Sequence, residues 1–445
     1  MRRASVWFGI AACALLGCGD ESGVTPQADA GPPQADTSAS EDASAAEDAG
    51  TVDGPCAPAP GACERFDASV QPPRLSEFTT AYVESERAMY VFGGSTAVPP
   101  PGERPPALFT DALWRFDDAC TAWEEVNASG GPSARGRAMA TDGPDGFYVF
   151  GGRWREDGSF SGDYALYREL WFFEAATATW ELLSDGEGPS ARVDGVLEYD
   201  AEGGQLVLFA GNSSDSGLAY VPLQDTWTFD LEARTWTQLT TTGATPAPRL
   251  FVAGTFDTSR RQLIVGGGGN ETAFFEPDYF GDLYALDMAT GAWEQVANAV
   301  GGPEPRFWGK LAYDPEFDSY LLFAGHDGTN LGNRNDLWEW RAAEGAWSLL
   351  KIGDTFQTPA NGPNDFPPDF ALVDTSMPER RSAHGFVWSE TCGHALAFGG
   401  KTDCGAVNDV WRVQDGVFVE AVEATSGEVC HRFRPNPDNC VNLCF

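Results

Sequence analysis

The sequence predicts an all-β chain folded as a six-bladed β-propeller of four-stranded blades, and three observations carry the prediction. A unit of about 57 residues recurs six times along the 445-residue chain. Aromatic residues make up 12% of the chain and are joined by 51 Gly and 30 Pro, the composition of many short strands separated by turns. Within every unit a short apolar run ends in Gly, and an amphipathic stretch with two spaced aromatics follows it.

Each unit opens on an arginine: Arg74, Arg135, Arg192, Arg249, Arg306 and Arg381. The Gly that closes each apolar run is Gly94, Gly152, Gly211, Gly268, Gly325 or Gly400, and four of the six Arg-to-Gly intervals are 19 residues. The runs themselves, such as 90–94, 206–211 and 320–325, read as buried strands that Gly ends where the chain must turn. The aromatic pairs are Trp114/Trp123, Trp171/Trp180, Trp227/Trp236, Tyr284/Trp293, Trp338/Trp347 and Trp411/Phe418, and five of the six are nine residues apart. Stretches such as 113–126 and 226–239 alternate apolar with polar residues around an acidic turn, which is a hairpin. Four antiparallel strands per unit cannot bury both faces alone, so six units stack radially into a ring.

The Arg, the Gly doublet, an acidic residue before an aromatic (Asp111, Asp225, Asp282, Asp336, Asp409) and the spaced Trp resemble kelch repeats over about residues 70–423. The resemblance implies a kelch-type six-bladed propeller, a scaffold on which some members are copper-radical oxidases or sugar mutarotases. Two departures stand out. Ala210 and Ala324 replace the first Gly of the doublet, which is tolerable if only the second position needs positive φ. Phe418 follows Trp411 by seven residues, which predicts a degraded outer edge on the last blade.

With strands named a to d from the centre outward, the a-to-b and c-to-d connections are tight turns, while the b-to-c loops 95–110, 153–168, 212–224 and 269–281 are long. The largest insertion, 351–378, is a d-to-a loop on the same face, where binding residues collect on a rigid scaffold. The six arginines fall on that face near the mouth of the channel. They form a cationic rim for carboxylates or acidic sugars, or they pair with the acidic residues and hold the blades together. Trp154, Tyr164, Tyr220, Phe275 and Tyr279 lie in the long loops, either as a surface for stacking on sugars or packing on a protein, or as the loops' own small core.

A net charge of −38 repels phosphate backbones, which excludes nucleic acid as a partner. Only four His are present; His326 and His384, on adjacent blades, offer at best a partial metal site, so no metal or cofactor is expected. No Cys falls in a long loop of the first five blades, which disfavours a thioether copper centre. The expected function is a monomeric binding module for a protein or carbohydrate ligand, with a carbohydrate-active enzyme and a structural envelope scaffold as alternatives.

Residues 1–17 read as a signal peptide, since Arg2 and Arg3 precede an apolar run too short to span a bilayer. The run ends in Leu15-Leu16-Gly17-Cys18, which resembles the lipobox of bacterial lipoproteins and implies acylation of Cys18. The expected location is the bacterial cell envelope, the outer membrane above the inner, with the lipid as the sole membrane contact. Residues 18–55 read as an acidic tether: 19–55 hold nine acidic residues and no Lys, Arg or aromatic. The propeller is assigned to 56–423 and a Cys-rich tail to 424–445. Eight Cys remain (Cys56, Cys63, Cys120, Cys392, Cys404, Cys430, Cys440, Cys444), an even number at the two ends of the fold, which suggests disulfides where the ring closes.

Overall fold

The computed structural model describes residues 56–96, 108–156, 163–216, 219–272, 278–328, 332–356, 371–402 and 405–425. The expectations on the signal peptide, Cys18, the tether, Phe275, Cys404, Cys430, Cys440 and Cys444 lie outside them. All the described residues belong to one compact unit.

Six sheets, each with four antiparallel strands, follow one another in sequence order, and the fourth carries the short strand Thr242–Gly243 parallel to its outer edge. Their innermost strands are Thr79–Val83, Met139–Gly143, Val196–Asp200, Ala253–Asp257, Lys310–Asp314 and Gly385–Ser389. Each packs against the innermost strands of its two neighbours, and the first meets the last, so the ring is closed. Among the described residues there is no α-helix, only the two 3-10 turns Ala62–Arg65 and Glu84–Glu86.

The spaced aromatics explain how the blades stack. The second ring of each pair sits on strand b of the preceding blade: Trp123 lies 4.9 Å from Phe398, Trp180 5.1 Å from Phe92, Trp236 5.3 Å from Phe150 and Trp293 4.9 Å from Phe209. Phe418 does the same, 5.3 Å from Phe323. The expected degraded edge of blade 6 is therefore corrected, since Val417–Val422 pairs fully with Gly405–Gln414. The two missing residues are lost in the turn: Gln414 pairs with Val417 across Asp415 and Gly416, both at positive φ, whereas Asp117 pairs with Ala122 across four residues in blade 1.

The Gly doublet also differs from expectation. Both positions are left-handed, with Ala210 at φ 61° and Ala324 at φ 56°, so alanine occupies this conformation at a cost of about 1 kcal/mol each. The doublet forms a bulge between Phe209 and Gly211 and between Phe323 and Gly325, beyond which strands b and c continue. The long b-to-c connections are thus partly hairpin arms, notably in Gln205–Asn212 with Pro222–Asp230 and in Ser319–Asp327 with Asn333–Arg341.

Closure has its own fastenings. Disulfides join Cys56 to Cys392, in the a-to-b turn of blade 6, and Cys63 to Cys120, in the c-to-d turn of blade 1. Both are on the short-turn face. Beside them Asp118 of blade 1 accepts from Arg412 Nε at 3.0 Å and lies 2.9 Å from His394 Nε2, tying two strands of blade 6 to blade 1.

Candidate functional site

The repeated arginines come first, because the sequence placed them at the mouth. Arg192 donates from Nε to Ser190 O, from Nη1 to Ala210 O at 3.1 Å, and through both Nη atoms to Asp225 at 2.7 and 2.8 Å. Arg249 with Asp282, Arg306 with Asp336 and Arg381 with Asp409 repeat this fork, and Arg135 bonds Glu169 at 2.7 Å. All five are buried, at 3% exposure or less. Their backbone is also engaged: the second Gly of each blade donates to the carbonyl of the next blade's Arg, as Gly268 does to Arg306 at 2.8 Å. These arginines are pins between blades, and the open cationic rim is corrected.

Blade 1 lacks the pin. Arg74 is half-buried and donates to Thr425 O, while Leu75, wholly buried, occupies the pin position and receives the Gly400 N–H. The acidic position is likewise Ala112 rather than Asp111, so both partners of the pair are replaced by apolar residues that share one core cluster. Trp114 Nε1, which in other blades finds that carboxylate, is left buried without a partner. The register was readable in the sequence: a Pro stands three residues before every pin, at Pro72, Pro132, Pro189, Pro246, Pro303 and Pro378, and counting from Pro72 gives Leu75.

The mouth is built two residues after each pin. Glu77, Arg137, Asp194, Phe251, Trp308 and Ala383 all have φ between 50° and 60°. At five of the six blade junctions a main-chain hydrogen bond links this level to the next, from Arg137 N to Glu77 O at 2.6 Å through to Glu77 N to Ala383 O at 3.3 Å. The positions repeat but the side chains do not, so a search for recurring residues passes over them. Only the spacing from the pins marks them.

Arg137 crosses the axis from this ring. It donates to Glu77 Oε1 at 2.7 Å, reaches Asp194 Oδ2 at 3.4 Å, and lies 4.7 Å from the centre of the Trp308 ring, three blades away. Arg153 donates to the other oxygen of Glu77 at 3.1 Å. Burial opposes ionisation of Glu77, but the two guanidinium groups outweigh it and hold the carboxyl well below the usual range. Asp194 has only long contacts, Arg137 and Trp308 Nε1 both at 3.4 Å, and there burial prevails and pushes the carboxyl up.

An aromatic platform flanks Arg137. Phe251 and Phe307 form its buried floor, 5.2 Å apart, and the half-buried Tyr220, Tyr279 and Trp308 stand on it at 4.6 to 5.6 Å. Of the expected loop aromatics, Tyr220 and Tyr279 are thus brought together, with burial raising the Tyr279 hydroxyl to about 12. His326 stacks on Phe307 at 5.0 Å, its Nδ1 3.2 Å from Asn333 Oδ1. His384 goes elsewhere, buried edge-on to Phe323 with neither ring nitrogen partnered. Tyr164 lies on the other side of the mouth, its N–H bonded to Asp215 O at 2.7 Å and its ring 4.0 Å from Arg153. Trp154 is half-buried in a short strand pair with Ala165.

Below the mouth runs a channel of about 650 Å³ lined by the innermost strands. Lys310, Glu198, Thr141 and Asp142 line it. Burial lowers the Lys310 amine and, reinforced by Asp142, raises the Glu198 carboxyl, so both groups are biased toward their neutral forms. Among the described residues the one cluster of three metal-competent groups is Cys56, Asp118 and Cys392, and two of these are consumed in a disulfide.

Residues 145–364 match the KLHDC2/KLHL20/DRC7 Kelch-repeats domain. The chain carries a kelch-repeat propeller. It is similar to the acyl-CoA-binding domain-containing protein 4 of Arabidopsis thaliana, 30% identical over 161 residues, 36% of this chain and 20% of that protein. It is similar too to the human Kelch domain-containing protein 10, 26% identical over 232 residues, 49% of this chain and 48% of that one. The Xenopus tropicalis form is 25% identical over 300 residues, 64% of each chain. Against the Arabidopsis and human proteins the kelch match therefore covers at most about half of the relative's own length.

Proposed function

We propose that this kelch propeller is a monomeric binding module held at the cell envelope by a lipid on Cys18, and that it takes a protein or glycan ligand at the channel mouth on its long-arm face. The observation that carries the reading is the platform: three half-buried rings on a buried aromatic floor beside a fixed guanidinium. Large rigid rings supply contact area with little loss of side-chain freedom, which is how a small surface holds a partner. Kelch propellers generally serve as binding or scaffold modules, in agreement with this use.

A photocrosslinking residue placed at Tyr220 tests the reading against the same residue at Val419, on the exposed outer edge of blade 6. Adducts from position 220 alone, lost when Tyr279→Ala is added, are expected. Equal adducts from both positions would remove the mouth from consideration. For the anchor, Cys18→Ala is expected to release the chain from the membrane fraction; unchanged fractionation would overturn it. A second reading, an enzyme acting on a carbohydrate, draws on Lys310 and Glu198 in the channel and predicts turnover that Lys310→Met abolishes.

A further inference from the structure

The mouth holds more cationic hydrogen-bonding capacity than its own carboxylates use. Arg137, Arg153 and Arg155 form one continuous group: Arg137 and Arg153 share the two oxygens of Glu77, and Arg153 and Arg155 share the ring of Tyr164, at 4.0 and 4.4 Å. Against these three cations stand Glu77 and the loosely held Asp194. Arg155 has no carboxylate within ion-pair distance among the described residues, and its one interaction there is with Tyr164.

Four N–H groups of this cluster are buried and make no hydrogen bond: Arg137 Nε, Arg153 Nε, and Arg155 Nε and Nη1. A buried donor on a charged group left unsatisfied loses its hydration with nothing in return, so four in one place is an arrangement that a ligand offsets. The donors are also fixed. Arg153 is locked into the ladder by a reciprocal pair of main-chain bonds with Gly136, and Tyr164 is tied to blade 3 through Asp215 O. The contrast with the rest of the chain sharpens the point, because a protein of net charge −38 gathers three arginines at one mouth while spacing its five pins one to a blade over blades 2 to 6, each with its own acid.

We infer that the channel mouth is an anion-binding site for an acidic sugar residue, a carboxylate- or sulfate-bearing unit of a glycan, with Arg155 and Arg153 holding the anion. The inference rests on the binding reading above and names its ligand class. Three features favour a sugar over an acidic peptide. Guanidinium donors fit the anionic group, the carboxylates of Glu77 and Asp194 accept from hydroxyls on the same ring, and the platform of Tyr220, Tyr279 and Trp308 fits an apolar C–H face. Long-range repulsion from a chain of −38 also selects for a ligand of few charges over an acidic polypeptide.

The test is calorimetric titration of the purified chain with a uronate trisaccharide, the neutral trisaccharide of the same linkage, and a pentaglutamate peptide. Uronate binding at least tenfold tighter than the neutral sugar is expected, weakened tenfold or more in Arg155→Gln and partly restored in Arg155→Lys, with melting temperatures unchanged. Equal binding of neutral and acidic sugars, or full uronate binding by Arg155→Gln, would overturn the inference. Capture of the peptide in place of the uronate would reassign the site to an acidic protein segment, and silence toward all three would remove it. Loss of crosslinking in Tyr279→Ala with Arg155→Gln unaffected would leave the platform reading standing and the anion refuted.

Discussion

Blade 1 is a natural experiment on the pins, and it predicts the outcome of repeating it in blade 5. Arg306 and Asp336 are 3% and 2% exposed and bonded at 2.5 and 2.8 Å; Asp336 also accepts from Trp338 Nε1 at 2.8 Å. Asp336→Ala strips the buried guanidinium of both charge-assisted bonds, leaving it Glu304 O and Ala324 O, and strands Trp338 Nε1. Breaking a buried pair from one side costs about 3–5 kcal/mol. Arg306→Leu should cost less, because Arg334 Nη2 stands 3.8 Å from Asp336 and partly neutralises the orphaned carboxylate. The double change reproduces the Leu75 and Ala112 of blade 1, with the Trp338 indole N–H unpartnered as that of Trp114 is. It should be less destabilising than Asp336→Ala alone, with a coupling of at least about 1.5 kcal/mol. Urea titrations of the four proteins, followed by Trp fluorescence, give the cycle. Additive losses would refute the reasoning, since they would mean that neither charge is buried at the expense of the other.

Other outcomes follow from the same geometry. Asp194 keeps its proton to a higher pH than an ordinary carboxylate, while Glu77, held low, stays ionised; as pH falls the mouth gains positive charge beside Arg137, Arg153 and Lys310. Affinity for a sulfate monoester should therefore rise as pH is lowered toward the usual carboxylate range, and titrations of Asp194→Asn should show a flattened rise. Removing the Cys56–Cys392 bond, which closes 336 residues, should cost up to about 5 kcal/mol, against about 4 for Cys63–Cys120 over 57 residues, measured as shifts in denaturation midpoint. Gly416→Ala should cost about 1 kcal/mol without change of fold: its φ is 73°, and an added Cβ would meet Leu350 no closer than 3.4 Å.

The blades were legible because their signals are local and repeated. Gly at positive φ and an aromatic on the preceding blade are demanded by the same geometry around the ring, and an acid beside the pin in five of its six blades, so the period survives even where Ala210 or Phe418 departs from it. The construction of the mouth was not legible for the opposite reason. Glu77, Arg137, Asp194, Phe251, Trp308 and Ala383 share a backbone conformation and nothing else, and Arg137 meets Trp308 only because the ring brings together residues 171 positions apart. The pins drew attention precisely as their repetition grew, yet repetition at every blade is a mark of assembly, while the unrepeated Arg153 and Arg155 carry the unused donors. Of the expected loop residues, Tyr220 and Tyr279 reach the platform and Tyr164 the guanidinium pair, while Trp154 lies in its own strand pair.

The two disulfides set where the propeller can be held. Cys56 and Cys63 fasten the start of the propeller unit to turns on the short-turn face, at two points on neighbouring blades, so that this stretch is a bracket and not a swinging arm. The bracket and the mouth occupy opposite faces of the ring, so a molecule entering the opening between the long arms meets neither disulfide.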